Sequence, residues 1–317
     1  MFKFDFIGNR KYFFILSALI ILSGIIGCFA RGGFVQDIQF QGGTEIVLQM
    51  TDENYDLDKV VDSVSTAINK RVQAQKASTF NAANNNEKIN LLIVKVASAE
   101  ALSSEDSKKV QDAIKAGFSV KEGSETTVNK VSPTIGKELM TKGLTAVLVT
   151  AILTVLYIWI RFSMMGVFAG FAAIIAVIHD VAVMLSFYAV FGIPMNESFI
   201  AAVLTILGYS VNDTIVIFDR IRENSKLSRK DTIAGLVNKS IWQSLSRSIN
   251  TTATTLICVS TIYVFASMNN IESIQEFTMP LMVGLVSGTY STIFIASQIW
   301  VMWKESQAKK KLAEKTA

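Results

Sequence analysis

Asp213 stands in the run Leu207-Gly208-Tyr209-Ser210-Val211-Asn212-Asp213-Thr214-Ile215-Val216-Ile217, with apolar residues on both sides. An acid at the centre of a membrane helix costs roughly 2.5 to 3.5 kcal/mol on insertion scales, so its presence there needs a reason. In hydrocarbon the neutral acid is far cheaper than the carboxylate, and a group balanced between the two can bind and release protons. The plainer reading of Asp213 is a helix cap or an inter-helix hydrogen bond. Asp180 lies in a second apolar stretch beside His179, the only histidine. That pair suits either a proton path or a contact that fixes helix packing. Arg247 enters a further apolar stretch and keeps its charge at any working pH. A movement that makes or breaks an Asp213 to Arg247 contact would couple proton binding to helix position, although an arginine at such a place also serves as a headgroup anchor.

These residues need membrane helices to position them, and the composition supplies them. Half of the 317 residues are hydrophobic and 18% are charged, with a mean hydropathy of +0.40, which excludes a purely soluble enzyme. Six stretches are long and apolar enough to cross a bilayer: residues 13–30, 143–160, 164–191, 198–217, 249–268 and 277–303, the last with Pro280 in its opening turn. Lys and Arg mark the cytoplasmic side. They occur at residues 1–12, at Arg161, in a connecting loop over 218–248 and in the tail over 304–317, whereas the loops around Glu197 and around Glu272 and Glu276 hold acids and no bases. Both termini are therefore expected in the cytoplasm. Cys28 and Cys258 each sit in an apolar run, against a disulfide framework or a cysteine metal site. Ile25-Ile26-Gly27-Cys28 also matches a lipoprotein processing box, but an uncleaved first helix keeps the basic groups on one side.

Residues 31–142 carry 29 of the 56 charged groups and read as a folded insert on the outer face. Thr44 to Met50 alternates like a strand, and Asp56 to Lys70 sets Leu57, Val60, Val61, Val64 and Ile68 on one helical face. Ile89 to Val96 is a buried-strand run, and Ser103 followed by Asp106 caps a second helix. Glu125 to Val131 closes the order, with room for a fourth strand at Lys76 to Phe80 and a polar turn at Asn81 to Asn86. The fold class is thus a polytopic α-helical membrane protein of six transmembrane helices, with a ferredoxin-like α+β domain between helices 1 and 2. The insert has no His and no Cys, and its acids alternate with lysines as on a solvated face. A binding or docking module fits better than a hydrolase. Gly166 with Gly170, Gly284 with Gly288, and Ser248, Thr251, Thr252, Thr254 and Thr255 allow close or polar helix contacts. From these residues alone, a proton-driven small-molecule or lipid exporter and a non-conducting scaffold stay open beside a proton-coupled motor.

The stretch from Gly208 through Asp213 to Phe218-Asp219-Arg220-Ile221-Arg222-Glu223-Asn224 closely resembles the SecF subunits of the SecD/SecF protein-export family. Phe40-Gln41-Gly42-Gly43-Thr44, Val131-Ser132-Pro133-Thr134-Ile135-Gly136 and Ser244-Leu245-Ser246-Arg247-Ser248-Ile249-Asn250-Thr251-Thr252 agree with it. The resemblance implies a member of the resistance-nodulation-division superfamily that pairs with SecD in a pseudo-symmetric twelve-helix unit. It also implies the SecYEG channel, a translocating preprotein delivered by SecA, and protons as partners, with YajC as an additional candidate, in the inner membrane. It places Asp213 and Arg247 in the proton pathway, with Asp180 and His179 as candidates beside them and Gly208, Tyr209, Ser210, Asn212 and Thr214 packing near it. It implies no catalytic residue, metal or cofactor. One departure is Asp37-Ile38-Gln39-Phe40, where the family usually has Gly-Ile-Asp-Phe.

Overall fold

The computed structural model describes residues 4–316 except 53, 82–86, 99–101, 122, 162–166 and 228–230. The expected turn at 82–86 and the expected Gly166 contact lie outside the described residues. Helix α1 (Arg10–Ala30) leads through a short α2 (Ile38–Gln41) into the insert, whose elements are β1 (Gly43–Met50), α3 (Leu57–Ile68), β2 (Val72–Asn81), β3 (Glu87–Ala97), α4 (Ser104–Gly117) and β4 (Thr127–Val131). The strands form one sheet in the order β2-β3-β1-β4, antiparallel at every pairing. This is the ferredoxin-like arrangement.

Period-two alternation decides which face of the sheet is covered. Ile46, Leu48, Met50, Leu92, Val94 and Val96 point to one side and bury against Val60 and Val64 of α3 and Val110 and Ile114 of α4. Both helices start on side-chain caps: Asp56 accepts from the Asp58 N–H, and Ser103 accepts from the Asp106 N–H at 3.0 Å. Asn69 closes α3 in the left-handed conformation, with φ of 51°. The opposite sheet face, which carries Lys95, turns toward the helix ends.

The remaining chain forms α5 (Pro133–Arg161), α6 (Val167–Phe191), α7 (Glu197–Leu227), α8 (Ile233–Met268), α9 (Glu272–Ser291) and α10 (Ser297–Thr316), with a π-helical segment, Thr292–Ala296, joining the last two. Six helical stretches are long and apolar enough to cross a membrane, α9 to α10 counting as one. Helix α7 sits centrally, buried along Phe199, Val203, Ile206, Ser210, Asp213, Ile217 and Ile221. Helices α5, α1 and α8 are largely exposed along their apolar lengths, as lipid-facing helices are. Hydropathy finds where helices are apolar, not where they stop. Helix α5 begins at Pro133, ten residues before the apolar stretch at 143. Most of the expected loop at 218–248 is helical, because α7 runs on to Leu227 and α8 starts at Ile233. Pro280 lies inside α9 and not in its opening turn.

Small residues allow a close approach between α7 and α9. A Cβ on Gly284 would fall 2.4 Å from Ile206 Cγ1, and one on Gly288 would meet Ser210 at 3.3 Å, whereas one on Gly208 meets nothing within 4 Å. Gly284→Val is therefore expected to lower stability by about 1–3 kcal/mol through overpacking, read as a reduced thermal unfolding midpoint in detergent, and Gly208→Ala to leave that midpoint unchanged.

Candidate functional site

Two acids lie in the bundle, and their surroundings differ. Asp180, on α6, is 1% exposed. Its Oδ2 accepts from Ser210 Oγ of α7 at 2.6 Å and from Ser291 Oγ of α9 at 2.8 Å, and its Oδ1 accepts from Ser287 Oγ of α9 at 2.6 Å. His179 Nδ1 stands 3.4 Å from Oδ1. These donations leave both oxygens of the buried acid with partners. His179 extends the contacts to α1 through Ser17 Oγ at 3.0 Å, and Ser17 donates to the Tyr290 hydroxyl at 3.2 Å. Asp180 thereby ties α6, α7 and α9 together, with α1 attached through its neighbour.

Asp213, on α7, is also buried, but only Oδ1 has a partner: Ser248 Oγ of α8 donates to it at 2.6 Å. Oδ2 is shielded from solvent and has no hydrogen-bond partner among the described residues. A buried oxygen left so is destabilising for a carboxylate and tolerable for a carboxylic acid. Arg247 makes no ion pair with Asp213 among the described residues; its side chain is exposed and lines a cavity of about 640 Å³ with Val216, Asp219, Arg220, Arg222, Gln243 and Ser244. Val216 lies one turn beyond Asp213 and Ser244 one turn before Ser248, so this cavity approaches the pair from the basic end of α7 and α8. Asp219 is paired there with Arg161 and Arg222.

The expected neighbours divide between two faces of α7. Ser210 and Thr214 face inward, and Thr214 Oγ1 is 2.9 Å from Thr292 Oγ1 at the start of the π-helical segment. Tyr209 reaches Thr252 of α8 at 3.0 Å, and Thr252 meets Thr289 at 2.5 Å. Gly208 and Asn212 are exposed, and a Cβ on Gly208 would meet nothing within 4 Å among the described residues. On α8, Ser248 and Thr252 make inter-helix bonds. Thr251, Thr254 and Thr255 instead donate to carbonyls of their own helix, and Thr251 and Thr254 are exposed beside Arg247. Sequence reasoning missed Ser287 and Ser291, although with Gly284 and Gly288 they form a small-residue face at helical spacing. It also missed Asp37, Lys95, Glu272 and Glu276, which converge where the sheet domain meets α9.

Residues 110–306 match the family model described as protein export membrane protein SecD/SecF, C-terminal. The protein translocase subunit SecF of Alicyclobacillus acidocaldarius is 36% identical over 313 residues, covering 97% of this chain and 95% of the relative. The chain belongs to the SecD/SecF family. The SecF subunit of Petrotoga mobilis agrees at 35% identity, over 93% of this chain and 94% of the relative. The crystal structure of SecDF from Thermus thermophilus, a translocon-associated membrane protein, superposes with a TM-score of 0.74 at 32% identity. That match covers 96% of this chain and 39% of the SecDF chain, so this chain spans about two fifths of a SecDF polypeptide.

The Asp180 contacts carry a prediction of their own. Removing Ser287 and Ser291 together by alanine substitution takes two hydrogen bonds from a buried acid, and leaving such a group short of a partner costs about 1–3 kcal/mol. The double variant is expected to unfold several degrees below wild type in detergent, with each single variant showing a smaller fall.

Proposed function

We propose that this chain is a protein translocase subunit of the SecF type, which works with a SecD partner beside the SecYEG channel and uses proton movement to assist late export of preproteins and prevent their sliding back. Asp213 is the group that takes up and releases the proton. The observation that carries this reading is the contrast between the two buried acids. Asp180 is saturated with hydroxyl donors, whereas Asp213 has one donor and one bare oxygen. The first arrangement suits a fixed packing contact, and the second a group that changes state. His179 and Asp180 then belong to the pathway as its anchor.

Arg247 completes the couple. When Asp213 loses its proton, the nearest mobile cation is the Arg247 guanidinium, one residue from Ser248, and a turn of α8 toward α7 brings the opposite charges together. Protonation removes the attraction and lets α8 return. Proton binding is thus exchanged for helix position.

The need for a SecD partner follows from faces that lipid does not tolerate. Gly208 and Asn212 on α7, and Arg247, Asn250, Thr251 and Thr254 on α8, are exposed within apolar helices. Polar groups at that depth are ordinarily buried in protein. A second six-helix unit, of the kind fused in SecDF chains, would cover them. The one-sided placement of Lys and Arg supports a multi-pass inner-membrane orientation with both termini cytoplasmic and the sheet domain outside. There the sheet domain would meet the emerging preprotein.

The test uses inverted vesicles carrying the chain with its partner, at equal protein levels, and follows a labelled secretory precursor with and without a proton gradient. Asp213→Asn is expected to assemble normally and to lose the gradient's late-stage benefit. Equal response of variant and wild type would overturn the proton reading and favour a scaffold.

A further inference from the structure

Lys95 lies in β3 between Val94 and Val96, both of which point into the sheet domain's core, so its side chain leaves the opposite face of the sheet. That face meets the helix ends. The Lys95 ammonium is 3.3 Å from Asp37 Oδ2, 3.5 Å from Glu272 Oε1 and 3.8 Å from Glu276 Oε1. Asp37 is itself buried and caps α2 by accepting the Gln39 N–H. Glu272 and Glu276 occupy the first two turns of α9, one helical turn apart. A single cation on β3 therefore joins three acids, one from the turn before α2 and two from α9. Burial alone would lower the Lys95 pKa, but Glu272, Asp37 and Glu276 outweigh it and hold the ammonium above its ordinary value.

Gln39, on the short helix that Asp37 caps, accepts the Glu197 N–H on its Oε1 at 3.3 Å, so the same segment meets the start of α7 as well as Lys95.

We infer that Lys95 is the positioning residue that holds the sheet domain to α9 and lets it go, so that displacement of α9 in the bundle is passed to the sheet domain. Three observations on the page support this. Helix α9 is continuous from the acids at Glu272 and Glu276 to Ser287 and Ser291, which hold Asp180; Glu276 and Ser287 are eleven residues apart, roughly 16 Å along a helix. Pro280 lacks the N–H that would bond the Glu276 carbonyl, so the turns carrying the two acids are joined to the rest at a weakened point. The contact around Lys95 is polar and incompletely filled. A cavity of about 380 Å³, lined by Gln73 and Gln75 of β2 with Glu272, Gln275 and Glu276, lies beside it, and Ser78 Oγ of β2 donates to the Asn269 carbonyl at 2.6 Å. A small polar contact beside open space is the kind that separates and re-forms. Without the lysine, the three acids would be left facing one another with no cation to hold them together.

The inference rests on the proposed function for its export readout, and the test separates the two. In the full chain with its partner, with Cys28→Ser and Cys258→Ser, the pair Ser78→Cys and Asn269→Cys is joined by a short reducible thiol cross-linker. The cross-linked protein is expected to lose gradient-dependent export and to regain it on reduction. Normal export by the cross-linked protein, with Asp213→Asn still defective, overturns the inference and leaves the proposed function standing. A second arm places spin labels at Lys108→Cys and Met268→Cys. One narrow distance is expected for wild type and for Lys95→Arg, and a broader or longer one for Lys95→Met. An unchanged distance in Lys95→Met also overturns it.

Discussion

A carboxyl group buried in hydrocarbon needs partners for its oxygens, and the helix bundle is organised around one acid whose oxygens both have them. Asp180 draws Ser210 from α7 and Ser287 and Ser291 from α9, while its neighbour His179 reaches α1 through Ser17. The close approach that these short side chains need comes from Gly284 and Gly288, which let α9 lie against Ile206 and Ser210. With α6, α7 and α9 fixed in this way, the less constrained contact is that between α7 and α8. That is where Asp213 and Ser248 meet and where Arg247 lies exposed beside a cavity.

The π-helical segment fits the same geometry. Ser291 serves Asp180, and the next residue, Thr292, opens the wider turn and faces Thr214 of α7. Interrupted helices of this kind recur where side chains must be aimed at a functional group. Beyond it, Gln298 donates to the Phe6 carbonyl, and Trp242 of α8 donates to the Phe4 carbonyl, so the N-terminal segment connects α8 and α10 at the basic end of the bundle. The bundle is thus closed at that end and joined to the sheet domain at the other through Lys95.

Much of this was legible in the sequence, for physical reasons that differ from residue to residue. Asp213 and Asp180 stand out because acids are rare in apolar runs, and the sheet domain stands out because β1 reads as a strand, β3 as a buried apolar run, α3 carries an apolar face and α4 a capping pair. Helix ends were less legible. The helix from Pro133 and the one running on to Leu227 continue past the apolar stretches, and a charged helical turn outside the bilayer has no hydropathic signature. Ser287, Ser291 and Lys95 were missed because a serine or lysine acquires its meaning only from the acid that the fold brings to it. The separation of Arg247 from Asp213 is likewise a matter of helix rotation, which spacing along the chain does not determine.

The central claim is that Asp213 exchanges protons while Asp180 holds the helices together. Difference infrared spectroscopy of the membrane-embedded chain across a pH shift tests it most directly, by following the carbonyl stretch of a protonated carboxyl group. The account predicts a band that changes with pH, is missing from Asp213→Asn and persists in Asp180→Asn. A band that survives in Asp213→Asn and disappears in Asp180→Asn would contradict it.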